Sequence, residues 1–119
     1  MNKPAAIDAA ILHTPIQRIE RARVIVSDGR IEEAGPADQI RIPASASCSD
    51  ASGLILVPGF IDPHIHGAAG ADVMTATFDA LNTVSRSIVR HGTTSFLPTT
   101  VSPPNDTLRT TAGELGSLM

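Results

Sequence analysis

The run Pro58-Gly-Phe-Ile-Asp-Pro-His-Ile-His-Gly67 constrains this chain more than any other stretch. In extended backbone, side chains two apart share a face. Phe60, Asp62, His64 and His66 therefore project one way, and Ile61, Pro63 and Ile65 the other. One face is apolar and suited to packing under helices. The opposite face ends in two imidazoles and a carboxylate. A strand of this kind asks for a helical layer on one side and leaves chemistry on the other, which is an α/β arrangement.

The residues that follow supply such a layer. From Thr75 or Thr77 to His91 the spacing predicts a helix: a Thr cap, Phe78, Leu81, Val84 and Ile88 on one stripe, and Gly92 as stop. Thr94 to Leu97 reads as a short strand closed by Pro98. A second helix is expected with Ser102 as cap, Pro103 at its first position, and Leu108, Ala112, Leu115 and Met119 at helical spacing. Upstream, residues 5 to 57 read as short strands and turns. Ile7 to Leu12 is a strand, and Gln17 to Arg23 leads into a hairpin whose Asp28-Gly29 supplies the positive φ angles of a tight turn. Gly35-Pro36 ends that hairpin. Residues 43 to 53 are small and polar, hence a loop, and Leu54 to Val57 forms another short strand.

The fold class expected is α/β. Residues 58–119 make the first two β/α units of a (β/α)8 TIM-type barrel, and residues 1–57 make part of a small β-sandwich domain. A closed barrel needs ~200 residues or more, and two parallel strands alone leave their edges unpaired. The chain therefore reads as the N-terminal part of a larger enzyme.

Composition excludes several functions. The net charge of −3 offers no basic surface for nucleic acid or an anionic membrane. With no Trp or Tyr and only three Phe, platforms for stacking bases are scarce. Cys48 is the single cysteine, so no internal disulfide forms; its serine neighbours mark an unremarkable thiol. Neither a signal peptide nor a membrane-crossing run is evident, and a cytoplasmic location is expected.

His64 and His66 are the candidate metal ligands, because neutral imidazole binds zinc and similar divalent ions and barrels place their sites at strand carboxyl ends. Asp62, one pleat deeper, is expected to orient a histidine rather than ligate. Gly67 and Gly70, flanking Ala68-Ala69, predict an open loop where substrate could approach the backbone. Asp72 is expected to cap the next helix. Thr99 and Thr100 face the same mouth and are candidates to donate to a substrate oxygen, although hydroxyls there often satisfy local backbone. His91 reads as a structural residue at a helix C-terminus, and His13 is assigned no function.

From Leu54 to about Pro104 the chain resembles the amidohydrolase superfamily, and more narrowly the N-acetylglucosamine-6-phosphate deacetylases. The superfamily element is Pro58-Gly59-Phe60-Ile61-Asp62-Pro63-His64-Ile65-His66. The narrower match rests on His66-Gly67-Ala-Ala-Gly70-Ala-Asp72 and on His91-Gly92-Thr93-Thr94-Ser95-Phe96-Leu97-Pro98-Thr99-Thr100. The resemblance implies deacetylation of N-acetylglucosamine 6-phosphate to glucosamine 6-phosphate and acetate in amino-sugar catabolism. It implies one or two divalent ions, zinc foremost, and a homodimeric full-length protein. Some relatives lack the His-x-His pair and use one metal. Further ligands, the catalytic aspartate and the phosphate-binding residues are expected after Met119, so no catalytic residue is assigned within this chain, and the isolated chain is expected to be inactive. Dihydroorotase-like and hydantoinase-like enzymes share the first motif, but Ala68 and Ala69 stand where a dihydroorotase places an arginine. A non-catalytic truncated fragment and a stand-alone metal-binding module are the remaining readings.

Overall fold

The computed structural model describes residues 3–118. The chain divides into two compact units between Pro58 and Gly59. The first is a four-stranded mixed sheet in the order β3-β2-β1-β4, built from β1 (Ala5–His13), β2 (Arg18–Ser27), β3 (Arg30–Pro36) and β4 (Ser47–Leu56). β1–β2 and β2–β3 are antiparallel, whereas β1–β4 is parallel. The β2–β3 turn is the one the Asp-Gly pair predicts: Asp28 and Gly29 take φ of 47° and 75°, and Ser27 pairs with Arg30. A right-twisted hairpin needs this left-handed pair of residues.

Alternation along the strands gives the sheet a small core on each face. Ala6, Ile25 and Ile40 cluster on one face, and Leu12, Ala22 and Val24 on the other. The ion pair of Arg23 and Asp8 fastens the first face. The guanidinium donates from Nε to Asp8 Oδ1 at 2.7 Å and from Nη2 to Oδ2 at 2.8 Å. Its Nη1 donates to the Ala37 and Ile40 carbonyls, tying the β3–β4 connection to the sheet.

The loop expected over residues 43 to 53 is corrected from residue 47 onward. Ser47 to Gly53 belong to β4, which pairs with β1 despite small polar side chains. Eight of its first nine residues are exposed, because an edge strand can be held by its backbone alone; the expectation relied on composition, which reports side-chain burial and not backbone pairing.

The second unit holds β5 (Phe60–Ile65), a hairpin of β6 (Gly67–Ala68) and β7 (Ala71–Asp72), α1 (Phe78–Val89), β8 (Thr93–Pro98) and α2 (Asn105–Leu118). β5 and β8 pair in parallel with α1 between them in sequence. Thr77 caps α1, its hydroxyl accepting from the Ala80 amide, and Gly92 beyond the helix takes φ of 87°. Val73, Ala76 and Leu115 form the core, with Val84 of α1 also fully buried.

Two details differ from expectation. α2 begins at Asn105, and the Leu108 amide bonds to the Pro104 carbonyl, so Ser102 is not its cap. Residues that precede proline are pushed out of the helical region, so Ser102 before Pro103 and Pro103 before Pro104 both delay the start. The buried positions of α2 are Thr111 and Leu115, while Ala112 is exposed and Met119 lies outside the described residues. The apolar face of β5 is also less covered than expected: Ile61 is 72% exposed. Among the described elements only β8 pairs with β5, and no helix is seated over Ile61.

Candidate metal centre

His64 lies near the carboxyl end of β5 and His66 in the bend just beyond it. The strand is not regular there. Phe60 pairs with Thr93 and Ile61 with Ser95, and the register shifts again between Asp62 and Ile65. Pro63 has no N–H to give a ladder, and the His64 amide turns instead to Asp62 Oδ1 at 3.1 Å. Asp62 therefore fixes the backbone of a histidine and touches neither ring.

The two rings meet edge to face with centroids 4.8 Å apart. Their Nε2 atoms lie 3.1 Å from each other. Two Zn–N bonds of ~2.0–2.1 Å span ~2.9 Å at a right angle and ~3.3 Å at a tetrahedral angle. The observed separation falls between these, the spacing that two imidazole ligands of one divalent ion would show. The remaining partner explains the orientation. His66 Nδ1 lies 2.8 Å from the Thr99 carbonyl oxygen, which can only accept. Nδ1 then carries the proton, and Nε2 of the neutral ring presents its lone pair toward His64. With no ion between them, His64 Nε2–H donates to that lone pair. An ion held by both nitrogens would require that proton to leave His64 Nε2.

Two main-chain contacts hold His66 and its neighbour. The His66 carbonyl accepts from Val73, and the Ile65 carbonyl accepts from Thr99 at 2.8 Å. The open loop expected at Gly67–Gly70 is a tight hairpin instead. Gly67 pairs with Asp72 and Ala68 with Ala71, and the turn residues Ala69 and Gly70 take φ of 51° and 80°. A β-carbon on Gly67 would strike the Ala71 carbonyl, so this glycine serves a close backbone approach. Asp72 caps the turn that follows, accepting from the Met74 amide at 2.7 Å. Thr99 spends its hydroxyl on the Leu97 carbonyl at 3.0 Å. In this structure the hydroxyl satisfies local backbone. Thr100 is half-buried beside it.

Not every histidine converges. His13 ends β1 in the first unit, and His91 lies beyond α1, where it lines a groove of about 320 Å³ with Arg86 and Arg90. Among the described residues no group of three or more His, Cys, Asp or Glu side chains gathers around one point. Two imidazoles are what this stretch brings together. Sequence reasoning missed the Thr99 carbonyl, since a main-chain oxygen has no residue-type signature. It also missed the Arg23–Asp8 pair, which only the β1–β2 register could reveal. No helix among the described residues is long and apolar enough to cross a membrane.

No protein-family profile matches the chain. Curated proteins do. The chain is 38% identical over 95 residues to the N-acetylglucosamine-6-phosphate deacetylase of Bacillus subtilis, a match covering 80% of this chain and 24% of that protein. It is 40% identical over 83 residues to the N-acetylgalactosamine-6-phosphate deacetylase of Escherichia coli O157:H7, covering 70% of this chain and 20% of that protein. Among solved structures, a mutant N-acetyl-D-glucosamine-6-phosphate deacetylase from Mycobacterium smegmatis, in complex with N-acetyl-D-glucosamine-6-phosphate, superposes with a TM-score of 0.87 at 22% identity. That match covers 98% of this chain and 29% of the neighbour, and shows a shared fold. The chain spans about a quarter of the length of the curated relatives it matches.

Proposed function

Because the chain is homologous to the N-terminal part of N-acetylglucosamine-6-phosphate deacetylases, we propose that it forms the metal-binding first part of an amide hydrolase acting on N-acetylglucosamine 6-phosphate. The 3.1 Å approach of the His64 and His66 Nε2 atoms carries the reading. A divalent ion, zinc in this reading, supplies an activated water and polarises the substrate amide when bound. His64 and His66 hold it, Asp62 fixes the strand bend that aims His64, and the Gly67 hairpin keeps His66 in place. The products are glucosamine 6-phosphate and acetate.

The unit up to Pro58 is, in this reading, part of a small β-sandwich domain, and the unit from Gly59 the first two β/α units of a barrel. The overlay on a deacetylase structure supports that placement. The remaining ligands, the proton-transferring carboxylate and the phosphate contacts belong to residues after Met119, so the 119-residue chain alone is inactive. The protein acts in the cytoplasm as a homodimer. Similarity to the E. coli relative favours one second reading, in which the substrate is the galactosamine epimer.

A chimera tests this. Residues 1–119 replace the matching segment of the B. subtilis relative, and acetate release is measured on both N-acetylhexosamine 6-phosphates. The expected result is hydrolysis that falls on the order of 100-fold or more when His64 and His66 are both alanine. An active chimera indifferent to those two changes overturns the proposal.

A further inference from the structure

We infer that Thr99 is the positioning residue of His66, a role that rests on reading His64 and His66 as a metal pair. Thr99 lies 33 positions from His66, just beyond β8, and touches β5 twice. Its amide donates to the Ile65 carbonyl at 2.8 Å, continuing the parallel ladder one step past the Ile65–Pro98 pair. Its carbonyl oxygen then sits 2.8 Å from His66 Nδ1. Its hydroxyl donates back to the Leu97 carbonyl at 3.0 Å, closing the strand end on itself. Amide and hydroxyl anchor Thr99 at the end of β8, and its carbonyl, in the next peptide unit, reaches His66.

The consequence is a choice of tautomer. A neutral imidazole without this acceptor carries its proton on either nitrogen. With it, Nδ1 keeps the proton and the Nε2 lone pair is committed toward His64, 3.1 Å away. Metal uptake would then cost His66 no proton shift. Backbone carbonyls that orient ligating histidines act in this way.

Ring nitrogens of the ¹⁵N-labelled 119-residue chain report the tautomer at mildly alkaline pH, without metal and without substrate. Wild type is expected to show His66 as the Nδ1–H form. Thr99→Ser keeps the hydroxyl and should keep that form, with zinc affinity by calorimetry within about twofold. Thr99→Val removes the hydroxyl donor at matched shape; the Nδ1–H share should fall, and zinc affinity should drop ~10–100-fold. A wild-type His66 protonated on Nε2 overturns the inference with no variant needed. So does a Thr99→Val chain that matches wild type in both readouts. A chain with the expected tautomer that takes up no zinc would instead overturn the metal reading and leave the positioning role standing.

Discussion

At the scale of single residues, the Asp8–Arg23 pair and the Ala69 turn make the sharpest expectations. The hydrogen bonds from Arg23 hold the Asp8 carboxyl below its ordinary value of 3.8, against a smaller opposing cost of burial. A carboxyl with a lowered folded pKa binds fewer protons folded than unfolded, so its contribution is present above that ordinary value. It is lost as pH falls through the folded value. The Asp8 side chain is 40% exposed, so screening keeps the contribution to about 1 kcal/mol. Asp8→Asn should lower the urea midpoint at neutral pH, and the gap from wild type should close in acid below the ordinary value. An undiminished gap there would show that the loss comes from packing. Ala69, at φ of 51°, occupies the first position of a turn that favours asparagine or glycine. Ala69→Asn should raise stability by about 1 kcal/mol in the same denaturation experiment.

At the scale of elements, glycines decide how closely strands approach. A β-carbon on Gly59 would strike the Thr94 side chain down to its Cβ, which rotation does not move, whereas one on Gly67 would strike the Ala71 backbone. Gly67→Ala and Gly59→Ala should therefore each cost about 1–3 kcal/mol. Zinc titration separates the two: Gly67→Ala displaces His66 and weakens binding, while Gly59→Ala leaves it near wild type. At the start of α1, Thr77→Ala should destabilise by about 1 kcal/mol and Thr77→Asp should not, because the cap accepts from the Ala80 amide. That cap was legible in the sequence, as were the Asp28-Gly29 turn and the Asp72 cap. Each is a local contract between one side chain and a backbone group a few residues on. The Ser47–Gly53 part of β4 was not legible, unlike its Leu54–Leu56 end, since its partner β1 lies about forty residues earlier and its own side chains carry no burial pattern. The start of α2 was misplaced for a different reason. Two consecutive prolines act on the residues before them, and that restriction outweighs a serine's capping preference.

At the scale of the whole molecule, the two units have separate cores and offer separate readouts. An ion bound by His64 and His66 at 100 times its dissociation constant stabilises its unit by about 2.7 kcal/mol. Hydrogen exchange with and without zinc should therefore slow amides in β5, β8 and the Gly67 hairpin, leaving β1 and β2 unchanged. Uniform slowing across both units would contradict independent units. The sequence by itself determined the histidine pair, the strand that bears it, the hairpin turn and the helix between β5 and β8. These follow from periodicity and from residues that act on their immediate neighbours. Only the tertiary structure decided the 3.1 Å convergence of the two rings, the tight hairpin at Gly67 and the Thr99 carbonyl behind His66. The physical reason is common to all three. Each depends on where a backbone atom from elsewhere in the chain comes to rest, and a main-chain oxygen looks the same in every residue until the strands are paired.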